Sequence, residues 1–173
     1  MWEAVSFNNS QKYVPDKDDN QYRRSLYTYW KRQSPPPNML LFDAPTREYC
    51  VVRRPRTNTP LQALALMNDL QFVEAARSFA QRMLLEGGKS AKDRIAYGFL
   101  LATSRKPGSD EVKVLHDVLN RQLEEFRKDK TAAEKLIGAG AFKAKESLDA
   151  SELAAWMTVA SMVLHLDETV TKN

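Results

Sequence analysis

One cysteine, Cys50, and two histidines, His116 and His165, stand in 173 residues. A lone thiol excludes an internal disulfide and any multi-cysteine metal site. Set in EYCVV, it reads as a small buried hydrophobe. The histidines fall in different expected helices, with no ligand-spaced cysteine or carboxylate cluster beside them, which argues against zinc or haem ligation. There is no CxxCH element to attach a haem and no glycine-rich phosphate loop. GxSxG and any Cys/His nucleophile arrangement are missing as well. The best apolar run, Ala154 to Leu166, is broken by Thr158, Ser161 and His165. It falls short of the roughly 20 apolar residues of a membrane span. MWEAVSFNNSQKY lacks the basic start and apolar stretch of a secretory signal. A cytoplasmic chain fits that start, and so does an export signal lying upstream of it.

What is present suits a globular fold with a real core, since 43% of residues are hydrophobic and 9% aromatic. The net charge of +4 is unevenly placed. Residues 1–60 carry ten Lys/Arg against six Asp/Glu, whereas residues 61–173 carry sixteen of each. The whole excess therefore lies in the first third, enough to permit contact with a polyanion but too weak to prove one.

The pattern predicts a first helix over about 21–32, with Tyr22, Leu26, Tyr29 and Trp30 as one apolar stripe, ended by Pro35 to Pro37. Residues 34–59 read as a long connection, extended around Glu48 to Arg53, in which Met39 to Phe42 need burial. From residue 60 the pattern is helical, and five or six helices are expected. Their start signals are Thr59-Pro60, Asn68-Asp69, Ser90-x-x-Asp93, Ser109, Thr131-x-x-Glu134 and Asp149-x-x-Glu152. Gly87-Gly88, Lys106-Pro107-Gly108 and Gly138 serve as stops or turns. Ala139 to Leu148 reads as a loose connection. The fold class is mainly α: a multi-helix bundle over 60–173, preceded by a helix and an extended proline- and arginine-rich arm over 1–59.

Chemistry-bearing side chains concentrate between residues 23 and 62. Arg23, Arg24, Tyr27, Trp30, Arg32, Asp43, Arg53, Arg54, Asn58 and Gln62 are the candidate binding or structural network, with Lys31, Arg47 and Arg56 among them. Arginine is a two-pronged donor to planar oxyanions, and with aromatics it suits an anionic glycan or a nucleic acid. The competing reading is intramolecular: Arg24 or Arg54 pairs with Asp43, and the tyrosines are core. Asp43 and Glu48 interrupt the basic stretch, which disfavours a phosphate-tracking surface.

The string from Tyr22 to Arg77 resembles the planctomycete PSD-one domain family, whose function is unknown. The resemblance rests on RRSLY at Arg23 to Tyr27, WKR at Trp30 to Arg32, PPP at Pro35 to Pro37 and FDAP at Phe42 to Pro45. It continues through Cys50 with Arg53 and Arg54, TNTPLQAL at Thr57 to Leu64 and ND-x-QFVEAAR at Asn68 to Arg77. ELAAW at Glu152 to Trp156 and LDE at Leu166 to Glu168 extend it to the end. Leu70 departs from the family, which commonly has proline there. Met1 to Val5 resembles the interior of the family pattern, so the resemblance implies a C-terminal part of a longer domain.

It further implies an exported setting (periplasm, envelope or outside the cell), with haem in upstream cytochrome-c-like modules and no cofactor in this chain. The expected partners are those upstream domains and an anionic glycan. On this reading the chain is a structural or interaction module. The alternatives are part of an enzyme site on polysaccharide, using Asp43, Arg53, Arg54 and Asn58 with residues upstream of Trp2, and nucleic-acid binding.

Overall fold

The computed structural model describes residues 16, 20, 23–30, 35–141 and 148–171. Among the described residues it holds eight α-helices, one 3-10 turn and no strand. The chain divides into two compact units, Met1–Gln62 and Ala63–Asn173.

In the first unit the described part of RRSLYTYW is a 3-10 turn over Ser25–Tyr27, and Thr28 then leaves in an extended conformation at ψ 132. The helix expected over 21–32 is thus corrected at its centre, while Gln21, Tyr22, Lys31 and Arg32 lie outside the described residues. β-Branched and aromatic side chains lose rotamer freedom in a helix, and residues 23–29 gain little burial to offset that. Leu26, Tyr27 and Tyr29 are exposed at 72%, 63% and 76%, so of the described members of the expected stripe only Trp30 is half-buried. The proline run opens a helix: Pro36 precedes α1, Pro37–Leu41, with Pro37 in its first position. A missing N–H costs nothing at that position. Cys50 is exposed, not buried, because EYCVV forms neither strand nor helix and Val52 beside it is fully exposed.

Helix α2, Pro60–Asn68, begins where Thr59-Pro60 predicts. In the second unit α3 is Leu70–Glu86, capped by Asp69, whose carboxylate accepts from Gln71 N at 3.0 Å. Helix α4, Ala91–Thr103, starts at Ser90, whose Oγ accepts from Asp93 N. Helix α5 is Ser109–Lys128, and its capping group differs from expectation. Gly108 takes the cap position, and its N–H donates to Glu111 Oε2 at 2.6 Å. Helix α6, Lys130–Ile137, starts at Asp129 and not at Thr131, since the Asp129 carboxylate accepts from Ala132 N. Asp149 caps α7, Ala150–Leu164, as expected from Asp149-x-x-Glu152. A last turn, α8, covers Asp167–Val170.

Helix α7 is the centre of this unit. Leu153, Ala154, Ala155, Trp156, Met157, Val159, Ala160 and Val163 are all buried, so it is apolar nearly all round. Helices α3, α4, α5, α6 and α8 all pack on it. Small residues let α3 and α4 meet closely: a Cβ on Gly98 would fall 2.8 Å from Met83 Sδ.

A surface ion cluster ties the α4–α5 turn to α8. Arg105 donates to both Glu111 carboxylate oxygens and to both of Glu168, at 2.7–2.9 Å. Its guanidinium also lies 4.7 Å from the Phe99 ring centroid. These bonds hold the Glu111 carboxyl down at about 2 and lower that of Glu168.

Candidate functional site

The arm between α1 and α2 is built around Asp43. Its φ of 60° is left-handed, a conformation that aspartate tolerates better than most residues. The turn points the carboxylate at Thr57. Asp43 Oδ2 accepts from Thr57 N at 2.8 Å, and the Thr57 hydroxyl lies 3.0 and 2.9 Å from Oδ1 and Oδ2. The same hydroxyl oxygen accepts from Gln62 Nε2 at 3.0 Å, and Gln62 Nε2 also donates to Leu41 O at 2.8 Å. Gln62 is buried at 3% exposure. It closes a reciprocal cap with Thr59: Thr59 N donates to Gln62 Oε1, and Gln62 N donates to Thr59 Oγ1. One side chain thereby starts α2 and fastens the end of α1.

Arg54 braces the same corner. Its Nε donates to Asp43 O at 3.1 Å and its Nη2 to Phe42 O at 3.2 Å. The sequence suggests an ion pair between Arg54 and Asp43. The arginine instead takes main-chain carbonyls, and the carboxylate goes to Thr57.

Of the other candidates, Arg23 lies 5.8 Å from the Tyr27 ring centroid. Trp30 is half-buried, with the Arg47 guanidinium 4.8 Å from its ring centroid. Arg24, Arg53 and Asn58 are exposed, and Arg32 lies outside the described residues. Asp43, Arg54 and Gln62 are therefore brought together, with Thr57 as the joint that sequence reasoning passed over. Its signal was available in TNTPLQ, where Thr59-x-x-Gln62 spells a helix start and Thr57 precedes it by two residues.

A second polar group was missed. Glu74 and Arg77 on α3 are buried at 5% and 0% exposure. Arg77 Nη1 donates to Ile137 O and Ala139 O, each at 2.6 Å, and Glu74 Oε1 accepts from Ala141 N. They hold the chain leaving α6.

Asp43 has both carboxylate oxygens engaged by Thr57, an arrangement that ties residue 43 to residue 57. Replacing Asp43 with alanine is expected to cost about 1 kcal/mol, the net worth of a hydrogen bond at an exposed joint. Thr57→Val should cost a similar amount. The double variant should cost clearly less than the two together, because both remove one joint. Urea unfolding of the four proteins checks this, and full additivity would sink the joint.

Among the described residues the regular structure is all helical, and the arm of the first unit is closed by hydrogen bonds among Asp43, Thr57 and Gln62. The chain belongs to the PSD1 family, described as a protein of unknown function (DUF1553), whose family model matches residues 3–119. The arm and the whole string from Arg23 to Arg77 fall inside the matched stretch, whereas ELAAW and LDE lie beyond it. No curated protein and no solved structure matches the chain.

Proposed function

We propose that this chain is a non-catalytic interaction module whose arm holds an anionic glycan. The observation carrying this reading is a division of labour among the polar side chains of residues 23–62. The Asp43 carboxylate is bound to Thr57. Arg23, Arg24, Arg47 and Arg53 meanwhile stay exposed, as do the rings of Tyr27, Tyr29 and Tyr49 in the same stretch of chain. Guanidinium forks match sulfate and carboxylate oxygens, and aromatic faces suit sugar rings. The family resemblance adds an exported setting with haem-bearing domains upstream to this proposal.

Calorimetric titration of the chain with heparin, with its desulfated form and with a DNA oligonucleotide tests the reading. Heparin should bind at low salt, weaken as salt rises, and bind more tightly than either comparator. Tighter binding of DNA, or no binding of any polyanion, would overturn it.

A further inference from the structure

We propose that Arg47, laid over Trp30, is the subsite of the arm that takes the oxyanion of the sugar, a sulfate ester or a uronate carboxylate. The inference rests on the glycan reading above. Arg47 is held in place at a local cost. Its φ of 66° is left-handed, which a long side chain seldom adopts unless its surroundings impose it. The indole N–H of Trp30 is buried and finds no acceptor among the described residues. Two unfavourable local features therefore meet at one contact, the guanidinium 4.8 Å from the ring centroid.

The root of the loop is fixed at the same time. Arg54 clamps the carbonyls of Phe42 and Asp43, and Asp43 is tied to Thr57. A planar fork already stacked and anchored loses little freedom on meeting a ligand. Two other arginines of the arm are less prepared. Arg54 spends Nε and Nη2 on main-chain carbonyls. Arg23 sits 5.8 Å from an exposed tyrosine ring in a short turn. Arg47 is exposed and makes no hydrogen bond to the chain among the described residues, so its donors are open to a ligand.

Two variants separate the fork from its charge. Arg47→Lys keeps the charge and loses the planar, two-pronged donor. Arg47→Gly removes the side chain while fitting the left-handed backbone, so it should fold at least as well. Titrations with heparin and with polygalacturonate, beside circular dichroism of each protein, give the readout. Arg47→Lys is expected to weaken binding by about tenfold, as loss of a charged hydrogen bond would. Arg47→Gly is expected to weaken it at least as much with an unchanged helical spectrum. A stronger effect on heparin assigns a sulfate, and a stronger effect on polygalacturonate assigns a carboxylate. If the parent chain binds and Arg47→Lys binds equally well, the subsite is overturned while the glycan reading stands. If the parent chain binds neither polymer, both fall.

Discussion

Replacing Arg77 with methionine is expected to lower the stability of the helical unit by about 3–5 kcal/mol, the range for breaking a buried charge pair. Arg77 is fully buried, and its Nη1 is shared between Ile137 O and Ala139 O at the end of α6. Ile137 O is one of the orphan acceptors every helix leaves at its C-terminus, where a cation also meets the negative end of the helix dipole, and Ala139 O lies just beyond the cap. Methionine fills much of the volume but satisfies neither carbonyl. It also removes the cation whose Nη2 lies 3.9 Å from the buried Glu74 carboxylate.

Gly140 completes the arrangement. At φ +92°, a Cβ there would fall 2.0 Å from Glu74 Oε1, so only glycine lets the loop lie against the carboxylate. Glu74→Gln should cost less, since its amide oxygen still accepts from Ala141 N. Urea unfolding followed by circular dichroism gives the comparison. A loss for Arg77→Met below about 1 kcal/mol would mean that water, not the arginine, satisfies those carbonyls.

Trp156→Ala should produce a loss of similar size, about 3–5 kcal/mol, by the different route of an unfilled cavity. Trp156 is 2% exposed on the central helix and belongs to the core that α3, α4, α5 and α7 share. Arg94 lies 5.9 Å from its ring centroid while bonding Glu152 Oε1 and Gly88 O. The ring therefore also supports a polar clamp at the start of α7. Trp156→Phe keeps most of the aromatic volume and is expected to lose less than half as much. Equal losses for the two variants would point to the indole itself and not to the cavity. Near-UV circular dichroism of Trp156→Phe would show whether the core stays uniquely packed.

Helix starts in the second unit were legible because capping is local chemistry. Asp69, Ser90 and Asp149 each announce a helix by a side chain that can reach a free N–H two or three residues on. Where several groups compete for one cap, as at Ser109 and Thr131, the start moves by one or two residues. Burial was legible in α3 from Ala76 to Leu84, but not for Leu61, Leu64, Leu100 and Leu101, which sit at helical spacing and are exposed.

The arm was not legible in this way. Tyr22, Leu26, Tyr29 and Trp30 have helical spacing, but spacing stabilises a helix only if the face finds something to cover. Leu26 and Tyr29 do not. Charge also misled. Arg77 looks like a surface arginine by type, yet it stands within the apolar stripe, four residues after Val73 and three before Ala80. That placement was the available signal. The Asp43–Thr57 joint spans fourteen residues of irregular chain, and no periodicity reports a contact of that kind.

The fastening of α8 differs in kind from that of the core. Thr169 Oγ1 donates to Val163 O at 3.0 Å, and Glu168 reaches Arg105. No residue of α8 is buried. This last turn is thus held in part by an ion cluster that dissolved salt can screen, whereas the helices beneath it are held by apolar contact that salt leaves intact. Ionic strength therefore acts on the chain as a selective solvent, loosening the Asp167–Val170 turn at concentrations that leave α7 and its neighbours folded.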